Sequence, residues 1–256
     1  MANNLVEIHS ELSTSLEKQM EALPTGFNKA RFVQNCMTVL QEGRADFSKC
    51  EPKTVVRTLL KGAFLGLDFF NGECYAIPYG GKVQFQTDYK GEKKICKKYS
   101  IRKIKDIYAK VVREDDVFEE KIVDGQQTVT FTPVSFNNGK ILGAFAIVLY
   151  EDGGMEYETM SVEEIEQTRK DFSKAPNSDA WKKSFSEMCK KTVLRRLCKH
   201  IELDFETIEM QKLFESESDF DVHKKPETPQ APDVFNYSEI VDVEAEIVEE
   251  AEEVFG

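Results

Sequence analysis

Lys90, Lys93, Lys94, Lys97 and Lys98 stand at i, i+3, i+4, i+7 and i+8. In a helix this spacing puts all five ammonium groups on one face. Like charges three and four residues apart repel, and a polyanion relieves that repulsion. Lys82 precedes the group and Arg113 follows it. A second basic set, Lys191, Arg195, Arg196 and Lys199, lies further along. Tyr75, Tyr79, Phe85, Tyr89 and Tyr99 are interleaved with the first set. Taken alone, these rings read as core packing. Beside two basic segments they read as a surface for single-stranded nucleic acid, where cations follow phosphates and rings stack on bases.

Other chemistries find little support. The chain has no G-x-x-x-x-G-K-[ST] and no G-x-G-x-x-G, so no nucleotide-binding loop is expected. His9, His200 and His223 are far apart, and the six cysteines include no C-x-x-C pair. Neither a histidine-based triad nor a zinc site is expected. Glu92-Lys93-Lys94 matches the E-x-K fragment of metal-dependent nucleases. That fragment needs a second carboxylate and a strand context to hold a metal. We expect no catalytic residue, no metal ligand and no cofactor. There is no charged-then-apolar signal at the start, and the longest apolar run, Ile141 to Tyr150, is too short to span a bilayer as a helix. The expectation is a soluble, cytoplasmic protein with reduced thiols and no membrane partner.

The net charge of −12 sits in one place. Residues 215–256 hold 14 acids and two lysines, which leaves the other 214 residues neutral. Within that neutral body Lys82 to Arg113 carries +8 and Lys182 to Lys199 carries +6. The acidic balance therefore says nothing against nucleic acid.

Several elements position these residues. Leu5, Ile8, Leu12, Leu16, Met20 and Leu23 recur at helical steps, ended by Pro24-Thr25-Gly26. A second helix follows around Phe32 to Leu40, and a third starts at Pro52 and runs toward Gly66. Glu73 to Pro78 and Val83 to Thr87 read as strands joined by a tight turn at Gly80-Gly81. Asp88 caps the lysine helix, leaving Tyr89, Ile95, Cys96 and Tyr99 to pack inward. Ile101 to Val112, with Ile107, Ala109 and Val111 on one side, reads as a strand. Asp124-Gly125, Asn137-Asn138-Gly139 and Asp152-Gly153-Gly154 separate further strands, of which Leu142 to Tyr150 is apolar enough to be central. The strand and turn spacing suggests a mostly antiparallel sheet. Ser161-Val162-Glu163-Glu164 fits a capping box, and Asp179 caps a helix from Ala180 to about Lys199 with the stripe Trp181, Phe185, Met188, Thr192. After Ile201 a last helix runs to about Phe214.

The fold class is thus α+β. Residues 1–66 form a helical lobe. Residues 67–214 form a core of hairpin, antiparallel sheet and long helices, one unit with the lobe. Residues 215–256 form a disordered acidic tail. Two apolar islands in that tail, Val234 to Tyr237 and Ile240 to Val243, suit partner docking.

Blocks along the chain resemble the RecT family of phage-type single-strand annealing recombinases. They are Leu65-Gly66-Leu67, Tyr75-Ala76-Ile77-Pro78-Tyr79-Gly80, Gln84-Phe85-Gln86, Tyr89-Lys90-Gly91, Val111-Val112-Arg113-Glu114, and Trp181 through Glu187-Met188, Lys190-Lys191-Thr192 and Arg195-Arg196-Leu197. The likeness covers roughly Leu23 to Ile201. It departs at Asp88, where the family often has Gly, and at Glu92 to Cys96, which are less apolar than usual. The resemblance implies a recombination protein that binds single-stranded DNA and pairs it with its complement without ATP. It implies a ring or filament of identical copies in a bacterial cell, with a phage or prophage origin.

On this reading the DNA-contacting set is Lys82, Gln86, Tyr89, Lys90, Gly91, Lys93, Lys94, Lys97, Lys98, Arg113, Lys191, Arg195, Arg196 and Lys199. The cations hold the backbone without reading sequence. Gln86 touches sugar or phosphate, and Gly91 allows either a close backbone approach or helix packing. The partners are single-stranded DNA, the annealed duplex and further copies of the chain. The tail is expected to dock an exonuclease or a host single-strand-binding protein. Two alternatives are a passive single-strand coating protein and a metal-dependent nuclease.

Overall fold

Helix α1 (Ala2–Lys18) buries Ile8, Leu12 and Leu16 against α2 (Lys29–Glu42) and α3 (Pro52–Phe64). The computed structural model describes residues 2–43, 45–173 and 175–216, all within the first of two units, which ends at Val222. α1 ends at Lys18, and a short 3-10 turn, Met20–Ala22, carries the chain to buried Leu23. Met20, expected in the apolar stripe, is therefore left exposed. Asn28 caps α2 by accepting from the Arg31 N–H at 3.0 Å, and Pro52 occupies the first turn of α3.

Strands β1 (Cys74–Tyr79) and β2 (Lys82–Thr87) pair antiparallel across Gly80 and Gly81, whose φ values are 58° and 82°. Both central residues sit in the left-handed region, as the two-residue turn with the right twist demands. Cys74, Phe85 and Thr87 lie on the face that packs on α3, where the Thr58 hydroxyl donates to the Val83 carbonyl at 3.0 Å. Helix α4 (Tyr89–Tyr99) follows at once. Asp88 accepts from the Lys90 N–H at its start.

β6 (Ile141–Tyr150) is central in a three-stranded antiparallel sheet between β3 (Ile104–Arg113) and β7 (Met155–Ser161). The ribbon β4 (Val117–Val123)–β5 (Gln126–Thr132) covers one face of that sheet. There Phe118, Val129 and Phe131 pack on Val112, Phe145 and Ile147. Ala144, Ala146 and Val148 alternate to the other face, against which α7 (Phe185–His200) packs. The strands expected as one sheet are thus three antiparallel sheets. On β3, Ile107 is buried while Ala109 and Val111 are half-buried; Val112 belongs to the ribbon-facing side.

α5 (Val162–Phe172) opens on a complete capping box between Ser161 and Glu164. The helix expected over Ala180 to Lys199 is broken. α6 (Asp179–Lys183) ends at Ser184, with φ −133° and ψ 42°, before α7 starts. The break lets Trp181 turn inward, where its indole N–H donates to the Ser173 hydroxyl at 3.3 Å and Arg169 lies over the ring. Asp179 is inside α6 and pairs with Lys183, so it is not the cap; Ser178 holds that position. After Ile201 the chain is irregular, with Leu203 bridged to Ser100, and the last helix, α8 (Ile208–Ser216), begins only at Ile208 rather than directly after Ile201. The expected disordered tail lies outside the described residues beyond Ser216.

Candidate nucleic-acid interface

The β1–β2 register splits the hairpin into two faces. Tyr75 opposite Gln86, Ile77 opposite Gln84 and Tyr79 opposite Lys82 share the face turned away from α3. Tyr75, Ile77 and Tyr79 are exposed, Tyr79 to 73%. This is a row of apolar rings and side chains beside a row of amides and an ammonium group. Burial pushes the Tyr75 phenol up, and Asp88, Cys74 and Tyr89 add to the effect, so the ring stays neutral near the start of α4. Tyr89, expected to pack inward, is exposed to 46%. It sits at the first turn of α4, beyond the reach of the core, and extends the aromatic row. Phe85 and Tyr99 are buried, as a core role requires.

α4 divides by its wheel. Lys90, Lys94, Lys97 and Lys98 are exposed and Lys93 half-exposed on one side. Gly91, Glu92, Ile95, Cys96 and Tyr99 are buried on the other. Lys94 pairs with Glu73 at 2.6 Å, Lys97 with Asp106 at 3.6 Å and Lys98 with Glu206 at 3.5 Å. Surface pairs of this kind contribute roughly 0–1 kcal/mol each and are easily exchanged. Among the described residues no carboxylate stands against Lys82, Lys90 or Lys93.

The buried side of α4 holds a group the wheel pattern missed. Glu92 is 2% exposed and Arg195 of α7 is 5% exposed; they form an ion pair, and the Thr87 hydroxyl donates to the same carboxylate oxygen. Arg195 also donates to the Phe214 carbonyl at 3.0 Å and lies 4.9 Å over the Phe214 ring. Burial alone would lower the Arg195 guanidinium, but the Glu92 charge outweighs it and holds the guanidinium above its usual value. The expected phosphate contact of Arg195 therefore does not fit its place in the core. A cation buried beside one carboxylate is already neutralised. Glu92 is likewise committed, and it stands on a helix rather than a strand as a nuclease ligand would. Among the described residues no group of three or more His, Cys, Asp or Glu side chains stands together as metal ligands would. Next to the pair, the Cys198 thiol hydrogen-bonds Cys96; that bond and burial push it well up from its ordinary value.

Gly91 is buried, and a Cβ there would lie 2.2 Å from the Glu73 carbonyl oxygen. Its close backbone approach is to its own chain at the foot of the hairpin, which is the packing alternative for this residue. The other predicted residues lie elsewhere. Arg196 pairs with Glu158 of β7 at 2.9 Å. Lys191 is half-buried and Lys199 exposed on α7. Arg113 donates to the Gly139 carbonyl at 2.7 Å and lines a groove to which no residue of β1, β2 or α4 contributes. The structure thus brings together Lys82, Gln86, Tyr89, Lys90, Lys93, Lys94, Lys97 and Lys98 on the hairpin and the helix that directly follows it. The exposed rings of Tyr75 and Tyr79 join them. Alternation in β1 was the signal for these two.

An α+β framework that exposes a basic helix after an aromatic hairpin is the kind of surface on which single strands can stack and pair their phosphates. The RecT family model matches residues 30–230, and the chain belongs to the RecT family. It is 27% identical over 203 residues to Protein RecT of Escherichia coli (strain K12), covering 75% of this chain and 74% of that protein. It is 25% identical over 245 residues to the uncharacterized protein YqaK of Bacillus subtilis (strain 168), covering 94% of this chain and 80% of that one. Membership places the chain among single-strand DNA-annealing proteins of recombination. Among the described residues no helix is long and apolar enough to cross a membrane.

Proposed function

We propose that this chain anneals complementary single strands without ATP, holding the first strand along the outer face of the β1–β2 hairpin and the lysine face of α4. The observation that carries the reading is that Tyr75, Tyr79 and Tyr89 are exposed on the hairpin and the helix directly after it, the two elements that carry Lys82, Gln86, Lys90 and Lys93. Bases stack on the rings while ammonium groups take the phosphates. Lys94, Lys97 and Lys98 exchange carboxylates for phosphates as the strand arrives. Lys191, Arg196 and Lys199 form a second cationic row on α7, and Arg113 contacts DNA only if the strand extends to its separate groove. Gly91 and Arg195 support the site from within. Product stability comes from base stacking, about 1.4 kcal/mol per step, so nucleotide hydrolysis is not needed.

On the same reading the protein acts as an assembly of identical copies, not as an enzyme, and the acidic tail docks an exonuclease or a single-strand-binding protein. The test mixes two complementary oligonucleotides with the protein, without nucleotide. Faster pairing is expected. Binding without faster pairing would mean a passive coating protein, and loss of DNA on adding magnesium would mean a nuclease.

A further inference from the structure

The ribbon leaves part of its sheet face bare. β5 packs beside β7, the edge opposite β3 in the order β3–β6–β7. The uncovered side is an open groove of about 740 Å³ between β3 and the ribbon. Ligand sites usually have about 300–1,000 Å³. Tyr108 of β3 and Phe131 of β5 give the groove half-buried ring surface, and Val129 and Ile147 extend its apolar floor. Lys110 and Arg113 of β3 and Lys190 of α7 supply cations, and Asp116 is the carboxylate among the lining residues. Asp116 accepts from the Arg113 N–H at 2.8 Å, the Val134 N–H at 2.9 Å and the Asn137 amide at 3.0 Å, so its oxygens are spent on the loop at the end of the groove. Lys190 pairs with exposed Glu187 at 2.5 Å, a surface pair that exchanges readily. With both acids counted against the three cations, the groove is still positive.

The groove adjoins the lysine face of α4. Asp106, Tyr108 and Lys110 alternate onto one face of β3, because pairing with β6 is regular from Asp106 to Val112. Lys97 of α4 pairs with Asp106 at 3.6 Å, so the lysine row meets this face two residues before Tyr108. Asp106, the acid on that path, is covered by the same contact. From Asp106 to Lys110 the strand rises about 13 Å, roughly four nucleotides at about 3.4 Å per step of one strand. We infer that the groove is a further nucleotide-binding site, into which a single strand held on α4 continues along β3. A base stacks on Tyr108 and Phe131, and its flanking phosphates lie on Lys110 and Lys190. Arg113, which donates to the Gly139 carbonyl at 2.7 Å, closes the far end. The two rings favour a planar base over a carboxylate-rich peptide, which could use only the cations. The inference rests on the annealing reading and lengthens the interface that reading requires.

The test uses the full chain and a single-stranded oligonucleotide in which photoreactive iodouracil replaces thymine. After irradiation, mass spectrometry is expected to find adducts on Tyr108 or Phe131 as well as on the hairpin tyrosines. Tyr108→Leu, which keeps an apolar side chain on the floor, is expected to weaken single-strand binding about tenfold. Lys110→Ala is expected to lower the slope of log K against log salt by about 0.7, the loss of one phosphate. Lys110 is exposed, so this variant tests the site even if Tyr108→Leu is less stable. Lys90→Ala reads the α4 face by itself. If it weakens binding while Tyr108→Leu and Lys110→Ala do not, and adducts stay on the hairpin and α4, the groove site is overturned and the annealing reading stands. If the unaltered chain binds no single strand, both fall. Normal DNA binding by Lys110→Ala with altered sedimentation would also overturn the inference, and would give the groove to a second copy of the chain.

Discussion

Replacing Arg195 by methionine separates core from interface more sharply than any other change. Its side chain is 6% exposed and that of Glu92 2% exposed, so Arg195→Met leaves a carboxylate in the interior with only the Thr87 hydroxyl as partner. Breaking one side of a buried pair costs about 3–5 kcal/mol, a large share of a total that is typically 5–15 kcal/mol. For a unit of this size each kcal/mol lowers the melting temperature by about 2–4 °C, so a fall of roughly 6–20 °C is expected. Adding Glu92→Gln removes the buried charge while keeping an acceptor for Thr87, and the double variant should recover most of the loss. Urea denaturation gives the stabilities, and titration of a labelled oligonucleotide gives the affinity of the folded protein. The single variant should bind DNA normally at a temperature where it is folded. Unchanged stability with weakened DNA binding would refute the reasoning and return Arg195 to the phosphate-contacting set.

Gly91→Ala forces a methyl group against the Glu73 carbonyl, which as backbone cannot step aside, and should destabilise by about 1–3 kcal/mol in urea titrations. Tyr79→Ala should weaken single-strand binding by about 1–3 kcal/mol with an unchanged melting curve, because the ring is exposed. Lys90→Ala and Lys93→Ala should each reduce the slope of log K against log salt by about 0.7 if each lysine holds one phosphate. Partial desolvation pushes the Asp116 carboxyl up, but its hydrogen bonds to Val134, Asn137 and Arg113 more than offset it, so it sits below the usual range. A carboxyl lowered on folding stabilises above its ordinary pKa of about 3.9, and the contribution is lost as pH falls through the lowered value. The protection of the Val134 N–H against exchange should therefore fall as pH drops through that lowered value, and Asp116→Asn should reduce it at neutral pH. Removing the residues after Ser216 should leave annealing of naked oligonucleotides intact and strengthen binding at low salt, since the acidic surplus resides there. A folded truncated chain that no longer anneals would place the tail in the active assembly.

Local chemistry alone carried much of this protein. The paired glycines at 80 and 81, the Asp88 cap, the Ser161 capping box and the Pro52 start depend on neighbours within a few residues, and each stands where spacing put it. The lysine face of α4 was legible for the same reason: helical period decides which side chains share a side. Tertiary structure decided what period cannot see. Glu92 stands at i with Ile95, Cys96 and Tyr99 at i+3, i+4 and i+7, on the inward side, yet only α7 supplies the arginine that lets a carboxylate stay there. The same contact took Arg195 out of the solvent face that its neighbours Arg196 and Lys199 suggested. Tyr79 and Phe85 are both aromatic residues of one hairpin, and which is bare follows from which face α3 covers. Burial and ion pairing are properties of elements far apart in the chain, and a residue's own type and spacing do not contain them.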